Sequence, residues 1–113
     1  MQEQYDYIII GGGVVGCMVA RWLSRYEGKI LLIDKAADIG MGVSSANTAI
    51  VHAGYDPLPG TLKAYMNVKA NAMWDQLAGE LNFPFERRGD YVVAIGDEEL
   101  PLVEKLMQQG KQN

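Results

Sequence analysis

Apolar residues fall along this chain in three patterns, and each predicts a different element. "YDYIII", Tyr5–Ile10, is a continuous, largely β-branched run that stops at Gly11, the pattern of a strand buried on both faces. From Val14 to Arg25 the pattern changes. Val15, Met18, Val19, Trp22 and Leu23 recur at spacings of three and four, one face of a helix that Tyr26–Gly28 ends. A second continuous run, "KILLID", Lys29–Asp34, predicts another buried strand. Strand, short helix and strand within about thirty residues make one βαβ unit with parallel strands.

From Lys35 to Gly60 neither a helical nor a strand period holds, and Pro57, Pro59 and Gly60 punctuate the end. Thr61 is placed to cap a long helix, Leu62–Leu81, whose Leu62, Met66, Ala70, Met73, Leu77 and Leu81 are expected to face a core. "PFERRGDYVVAI", Pro84–Ile95, reads as a β-hairpin turning at Arg88–Asp90. Glu86–Arg88 reads as a solvated strand end in preference to an anion site, because exposed charge is the default. Asp97 should cap a final helix that tolerates Pro101 in its first turn and ends at Gly110. The expected architecture is α/β: an incomplete parallel sheet in a Rossmann-like βαβ unit, then a helix, a β-hairpin and a terminal helix. The organisation divides at residue 60, into 1–60 and 61–113.

Composition narrows the function classes. The 113 residues are 49% apolar and 21% charged, a globular balance, and the net charge of −4 argues against nucleic acid as a partner. The single cysteine, Cys17, lies in an apolar run and cannot form an internal disulfide. "MQEQYDY" lacks the basic start of a signal peptide, and no apolar run reaches membrane-spanning length. The expectation is a soluble, cytoplasmic protein, with peripheral membrane contact left open.

The chemistry begins at the turn after the first strand. Gly11, Gly13 and Gly16 form G-x-G-x-x-G between a strand and a helix. Gly11 allows the tight turn, Gly13 lets a pyrophosphate approach the backbone, and Gly16 lets helix and strand pack closely. The helix N-terminus offers unpaired N–H groups and a positive dipole end to phosphate. Asp34, eighteen residues after Gly16, ends the second strand, where a carboxylate can accept the hydroxyl hydrogens of an adenosine ribose. The tract "KAADIGMGVSSANTAIVHAGYD" then runs on too long and too polar for a simple connection, and it carries the only histidine, His52. A loop of that length is functional or disordered, and its apolar "TAIV" speaks against disorder.

Taken together, "YDYIIIGGGVVGCMVARWL", "KILLIDK" and "GMGVSSANTAIVHAGYDPLPGTLKA" resemble the start of FAD-dependent oxidoreductases of the D-amino-acid-oxidase superfamily, the glycerol-3-phosphate dehydrogenase-like and L-2-hydroxyglutarate oxidase-like members above all. The resemblance covers essentially the whole chain. It implies FAD as cofactor, held by Gly11, Gly12, Gly13, Val14, Val15, Gly16, Asp34 and Lys35 at the ADP half. Gly42, Ser44, Ser45, Asn47 and Thr48 would line the cofactor further along. His52, the candidate catalytic residue, would lie near the flavin ring as a hydrogen-bond partner, an acid/base or a covalent tether, with a structural histidine holding loop backbone as the alternative. Asp34 stands where many relatives have glutamate, which keeps the ribose contact and shortens its reach. No metal site is implied. Relatives are several hundred residues long, so the resemblance implies an N-terminal fragment whose partners are a small-molecule substrate and the remainder of the full-length chain. Two functions stay open: the FAD-binding part of a dehydrogenase or oxidase acting on glycerol 3-phosphate or a 2-hydroxy acid, and a non-catalytic nucleotide-binding module or inactive remnant.

Overall fold

The computed structural model describes residues 3–113 and divides the chain into two compact units, Met1–Ile50 and Val51–Asn113. In the first unit, β1 (Tyr7–Ile10) pairs in parallel with β2 (Ile30–Ile33), with Tyr7 opposite Ile30 and Ile10 opposite Ile33. Between them runs α1 (Val14–Leu23). The βαβ unit is therefore present, each strand shorter by one or two residues at its ends than the apolar run.

The face that α1 turns inward differs from the one its apolar spacing predicts. Val15, Val19 and Trp22 are exposed, whereas Gly16, Cys17, Ala20 and Leu23 are half-buried. Small residues let the helix lie close to the strands. Of the predicted face Met18 and Leu23 are half-buried, and Val15, Val19 and Trp22 stay outside, where Arg25 lies 4.6 Å from the centre of the Trp22 ring.

The second unit is built on α2 (Leu62–Leu81) and α3 (Leu100–Gln112), the latter preceded by one 3₁₀ turn at Asp97–Glu99. Thr61 caps α2 as expected, its hydroxyl accepting from Ala64 N at 3.2 Å. The packed face of α2 is again displaced. Of the predicted stripe Leu77 is half-buried, whereas Leu62, Met66, Ala70, Met73 and Leu81 are exposed, and Ala64, Asn67, Asn71, Trp74 and Ala78 face inward at spacings of three and four. Two asparagines interrupt the apolar stripe on that face, which is why hydropathy misjudged it. Trp74 stacks on Phe85 and meets Phe83 edge-on, with ring centres 5.8 and 5.9 Å apart.

Two expectations fail here. No strand forms over Pro84–Ile95, so the β-hairpin is absent among the described residues. The segment is held by side chains instead: Phe83 and Phe85 on Trp74, and Arg87 bonded to Asp75 and Asn71 of α2. Gly110 does not end the last helix, which continues to Gln112. Its missing Cβ lies 3.1 Å from Tyr55 Cβ, a close approach inside the helix and not a cap.

Candidate cofactor-binding site

The first unit presents an open groove of about 610 Å³ lined by the β1 end, the glycine turn, the first turns of α1 and the loop residues Val43, Ser44 and Asn47. Gly11 makes the turn at φ +108°, a conformation that favours glycine. A Cβ at Gly16 would stand 1.9 Å from the Gly11 carbonyl oxygen, so only glycine allows α1 to start this close to β1. Gly13 is different. It holds extended geometry that any residue adopts, and a Cβ there would point at Ser44 Oγ, 3.3 Å away. Its side of the groove is bare backbone.

Ser44 reaches across thirty residues to cap α1, its Oγ accepting from Val14 N at 2.8 Å. An acceptor oxygen thus already sits at the helix N-terminus, where an anion is stabilised by free amides and the helix dipole. The amides of Val15 and Gly16 stand in the same first turn and have no intrahelical acceptor.

Asp34 is exposed just past the end of β2, with its carboxylate fixed by backbone. Oδ1 accepts from Ala36 N at 2.8 Å and Oδ2 from Gly12 N at 2.6 Å. These amides, Ala36 first and Gly12 next, hold its carboxyl below the usual aspartate range, with a smaller contribution from the Lys35 charge. The carboxylate is thereby ionised and oriented, and its remaining lone pairs can accept hydroxyl hydrogens.

The loop residues are held by their own turn chemistry. Ser45 donates to Gly42 O at 3.0 Å, and Asn47 Nδ2 donates to Val43 O and Ser44 O at 3.1 and 2.9 Å. Thr48 is exposed beyond them. The structure therefore brings together Gly11, Gly13, Val14, Val15, Gly16, Ser44 and Asn47 around one groove, with Gly12 and Asp34 bonded behind the turn. Gly42, Ser45, Lys35 and Thr48 do not line it.

His52 belongs to the second unit. Its side chain is exposed, and its carbonyl accepts from Asn71 Nδ2 at 3.0 Å. With Ala53–Pro57, Lys63 and Asn67 it lines a small cavity of about 90 Å³, into which room for a few water-sized groups fits. Asn67 Oδ1, in that lining, is buried without a hydrogen-bond partner. Gly54, beside His52, has a reason unrelated to a ligand: at φ +96°, a Cβ would meet Val68 Cγ2 of α2 at 2.7 Å. Arg87 is not free for an anionic ligand either, since Asp75 engages it at 2.6 Å.

A family model described as FAD dependent oxidoreductase matches residues 6–113. The chain is 50% identical over 109 residues to a glycerol 3-phosphate dehydrogenase of Caloramator mitchellensis, covering 96% of this chain and 23% of that protein. It is 38% identical to a mitochondrial L-2-hydroxyglutarate dehydrogenase of Arabidopsis thaliana, covering 99% of this chain and 23% of the relative. A solved structure of dithionite-reduced L-alpha-glycerophosphate oxidase from Mycoplasma pneumoniae, with FAD bound, aligns with a TM-score of 0.87 at 33% identity, over 98% of this chain and 29% of that one. The chain spans about a quarter of the length of these proteins. With the model matching nearly every residue, the chain belongs to the family of FAD-dependent oxidoreductases.

Proposed function

We propose that this chain is the FAD-binding part of a flavin-dependent dehydrogenase or oxidase that oxidises glycerol 3-phosphate or a 2-hydroxy acid. The observation that carries the reading is the groove at the start of α1: bare backbone at Gly13, first-turn amides, and a carboxylate oriented at the end of β2. The pyrophosphate would lie against Gly13 and the amides of Val15 and Gly16, and the ribose against Asp34. Ser44 would offer its hydroxyl hydrogen along the groove, and Asn47, its amide engaged by Val43, Ser44 and Ala49, would hold the loop that lines it. When bound, the flavin supplies the hydride acceptor, and the protein supplies orientation and electrostatics. His52 would stand at the ring, where an imidazole can hydrogen-bond or hold a proton. Kinship with a glycerol 3-phosphate dehydrogenase and an L-2-hydroxyglutarate dehydrogenase supports the substrate class.

Flavin retention tests the cofactor site. Gly13→Val should fold, because its backbone is one valine adopts, yet its methyl groups fill the groove beside Ser44. It should lose FAD. Asp34→Ala should weaken FAD binding on the order of tenfold, as loss of a charged acceptor does. A holoenzyme purified with NAD and no flavin absorbance would overturn the reading.

A further inference from the structure

Three side-chain amides hold the backbone on which His52 stands. Asn71 Nδ2, from α2, donates to the His52 carbonyl at 3.0 Å. Gln109 Nε2, from α3, donates to the Tyr55 and Asp56 carbonyls at 3.1 and 2.9 Å. Asn113 Nδ2 donates to the Gly54 and Pro57 carbonyls, both at 2.8 Å. Five of the six carbonyls from His52 to Pro57 are therefore satisfied by amides that lie 19 to 59 residues further along the chain.

Gln109 is the only buried polar side chain among the described residues, at 7% exposure. Asn71 is itself fixed. Arg87 donates from Nη1 to its Oδ1 and from Nη2 to its backbone carbonyl, both at 2.8 Å, while Asp75 anchors Arg87. A buried glutamine that spends both amide hydrogens on one loop costs desolvation and rotamer freedom, so it is retained where it fixes geometry.

We propose that Asn71 and Gln109 are positioning residues for His52: they set the path of His52–Pro57 and hence where the imidazole stands against the flavin. This rests on the reading of His52 given above. None of these hydrogen bonds goes to the imidazole. The amides act through the backbone carbonyls, and a misplacement of about 1 Å at a reacting centre costs up to about a hundredfold in rate.

The test is a double-mutant cycle in the flavin-loaded holoenzyme. Gln109→Met keeps length and packing but donates nothing. Asn71→Asp keeps the acceptor for Arg87 and removes the donor to His52, so it serves where Gln109→Met does not fold. Each is made in the wild-type and the His52→Ala background. The flavin spectrum, its midpoint potential and its rate of reduction by glycerol 3-phosphate are then read. The expected result is a rate loss on the order of tenfold with a spectral or potential shift in the wild-type background, and less than about a twofold further loss with no further shift in His52→Ala. Equal losses in both backgrounds would mean the amides serve stability alone and would overturn the proposal, as would no loss in either variant. His52→Ala with unchanged spectrum and potential would remove the reading of His52 itself, and the proposal with it. His52→Ala effective but additive with the amide variants removes the proposal only.

Discussion

Two helical glycines allow the packing of α1 on β1 to be tested by one substitution made twice. Gly16 lies in α1 and Gly79 in α2. Alanine is intrinsically better than glycine in a helix by about 1 kcal/mol, so propensity alone predicts stabilisation at both. Space decides otherwise. Around Gly79 a Cβ meets nothing within 4 Å, and Gly79→Ala should stabilise by about 0.5–1 kcal/mol. At Gly16 the same atom would stand 1.9 Å from a backbone oxygen, where 3.0 Å is the practical floor, with Ile9 Cγ2 already at 3.4 Å. Something must retreat by at least 1.1 Å, and what stands in the way is backbone, not a flexible side-chain tip. Overpacking of this kind costs about 3 kcal/mol or more, at the upper end of the usual range, which leaves a net loss of about 2 kcal/mol after the propensity gain.

The two variants should therefore move in opposite directions, separated by about 3 kcal/mol. Urea unfolding of the flavin-free protein reads this directly, because it removes any contribution from lost cofactor affinity. Gly16→Ala should also release flavin, since the displaced helix carries the first-turn amides with it. Equal shifts of the same sign at both positions would show that α1 does not sit on β1 as described.

Two further outcomes can be measured. His52→Ala should shift the flavin spectrum or potential and lower turnover while leaving FAD affinity near wild type. The backbone bond from Asn71 survives this change, so unchanged spectrum, potential and turnover would assign His52 to loop structure. Acidification should destabilise through Asp34 and Asp75, whose carboxyls are held low, the first by the Ala36 and Gly12 amides and the second by Arg87. A depressed folded-state pKa contributes stability that is complete above the ordinary aspartate value and lost as pH falls through the folded one. Unfolding midpoints should drop below about pH 4, and Asp75→Asn should flatten that drop. A profile unchanged in Asp75→Asn would refute the Arg87 pairing.

The βαβ unit was legible because its signals are local and redundant: two continuous apolar runs, a glycine turn between strand and helix, an acid past the second strand. The bounds of α2 were equally readable from Thr61 and the length of the pattern, and they match residue for residue. What stayed hidden depends on contacts distant in sequence. Asn67 and Asn71 look like the polar face of α2 and in fact face inward, Asn71 because the His52 carbonyl takes its donor there. Gln109 reads as one more polar residue in "LMQQGKQN", and only the fold reveals that two carbonyls more than fifty residues earlier are its acceptors. "DYVVAI" has strand composition, but a strand needs a partner backbone, and none pairs with it among the described residues. Nothing near Gly54 in the sequence announces that Val68, fourteen residues on, leaves no room there for a Cβ. In each case the residue type was visible and its partner was not.

The long non-helical path from Asp34 to Pro57 follows from the same physics. Serine and asparagine compete with helix hydrogen bonds by bonding nearby backbone, and here they do so in succession. Ser45 closes on Gly42, Asn47 on Val43 and Ser44, and Asn47 Oδ1 then accepts from Ala49 N at 2.8 Å, supporting Ala49 in the left-handed region at φ 54°. That conformation costs an alanine about 1 kcal/mol or more and persists only because its neighbours hold it. Past Ile50 the supports change from local side chains to the amides of Asn71, Gln109 and Asn113. Both stretches thus reach a fixed path without a ladder of their own. A helix over the same residues would have turned its carbonyls and amides inward on itself. In the first unit this path leaves Ser44 Oγ on the first amide of α1, and in the second it leaves His52 exposed.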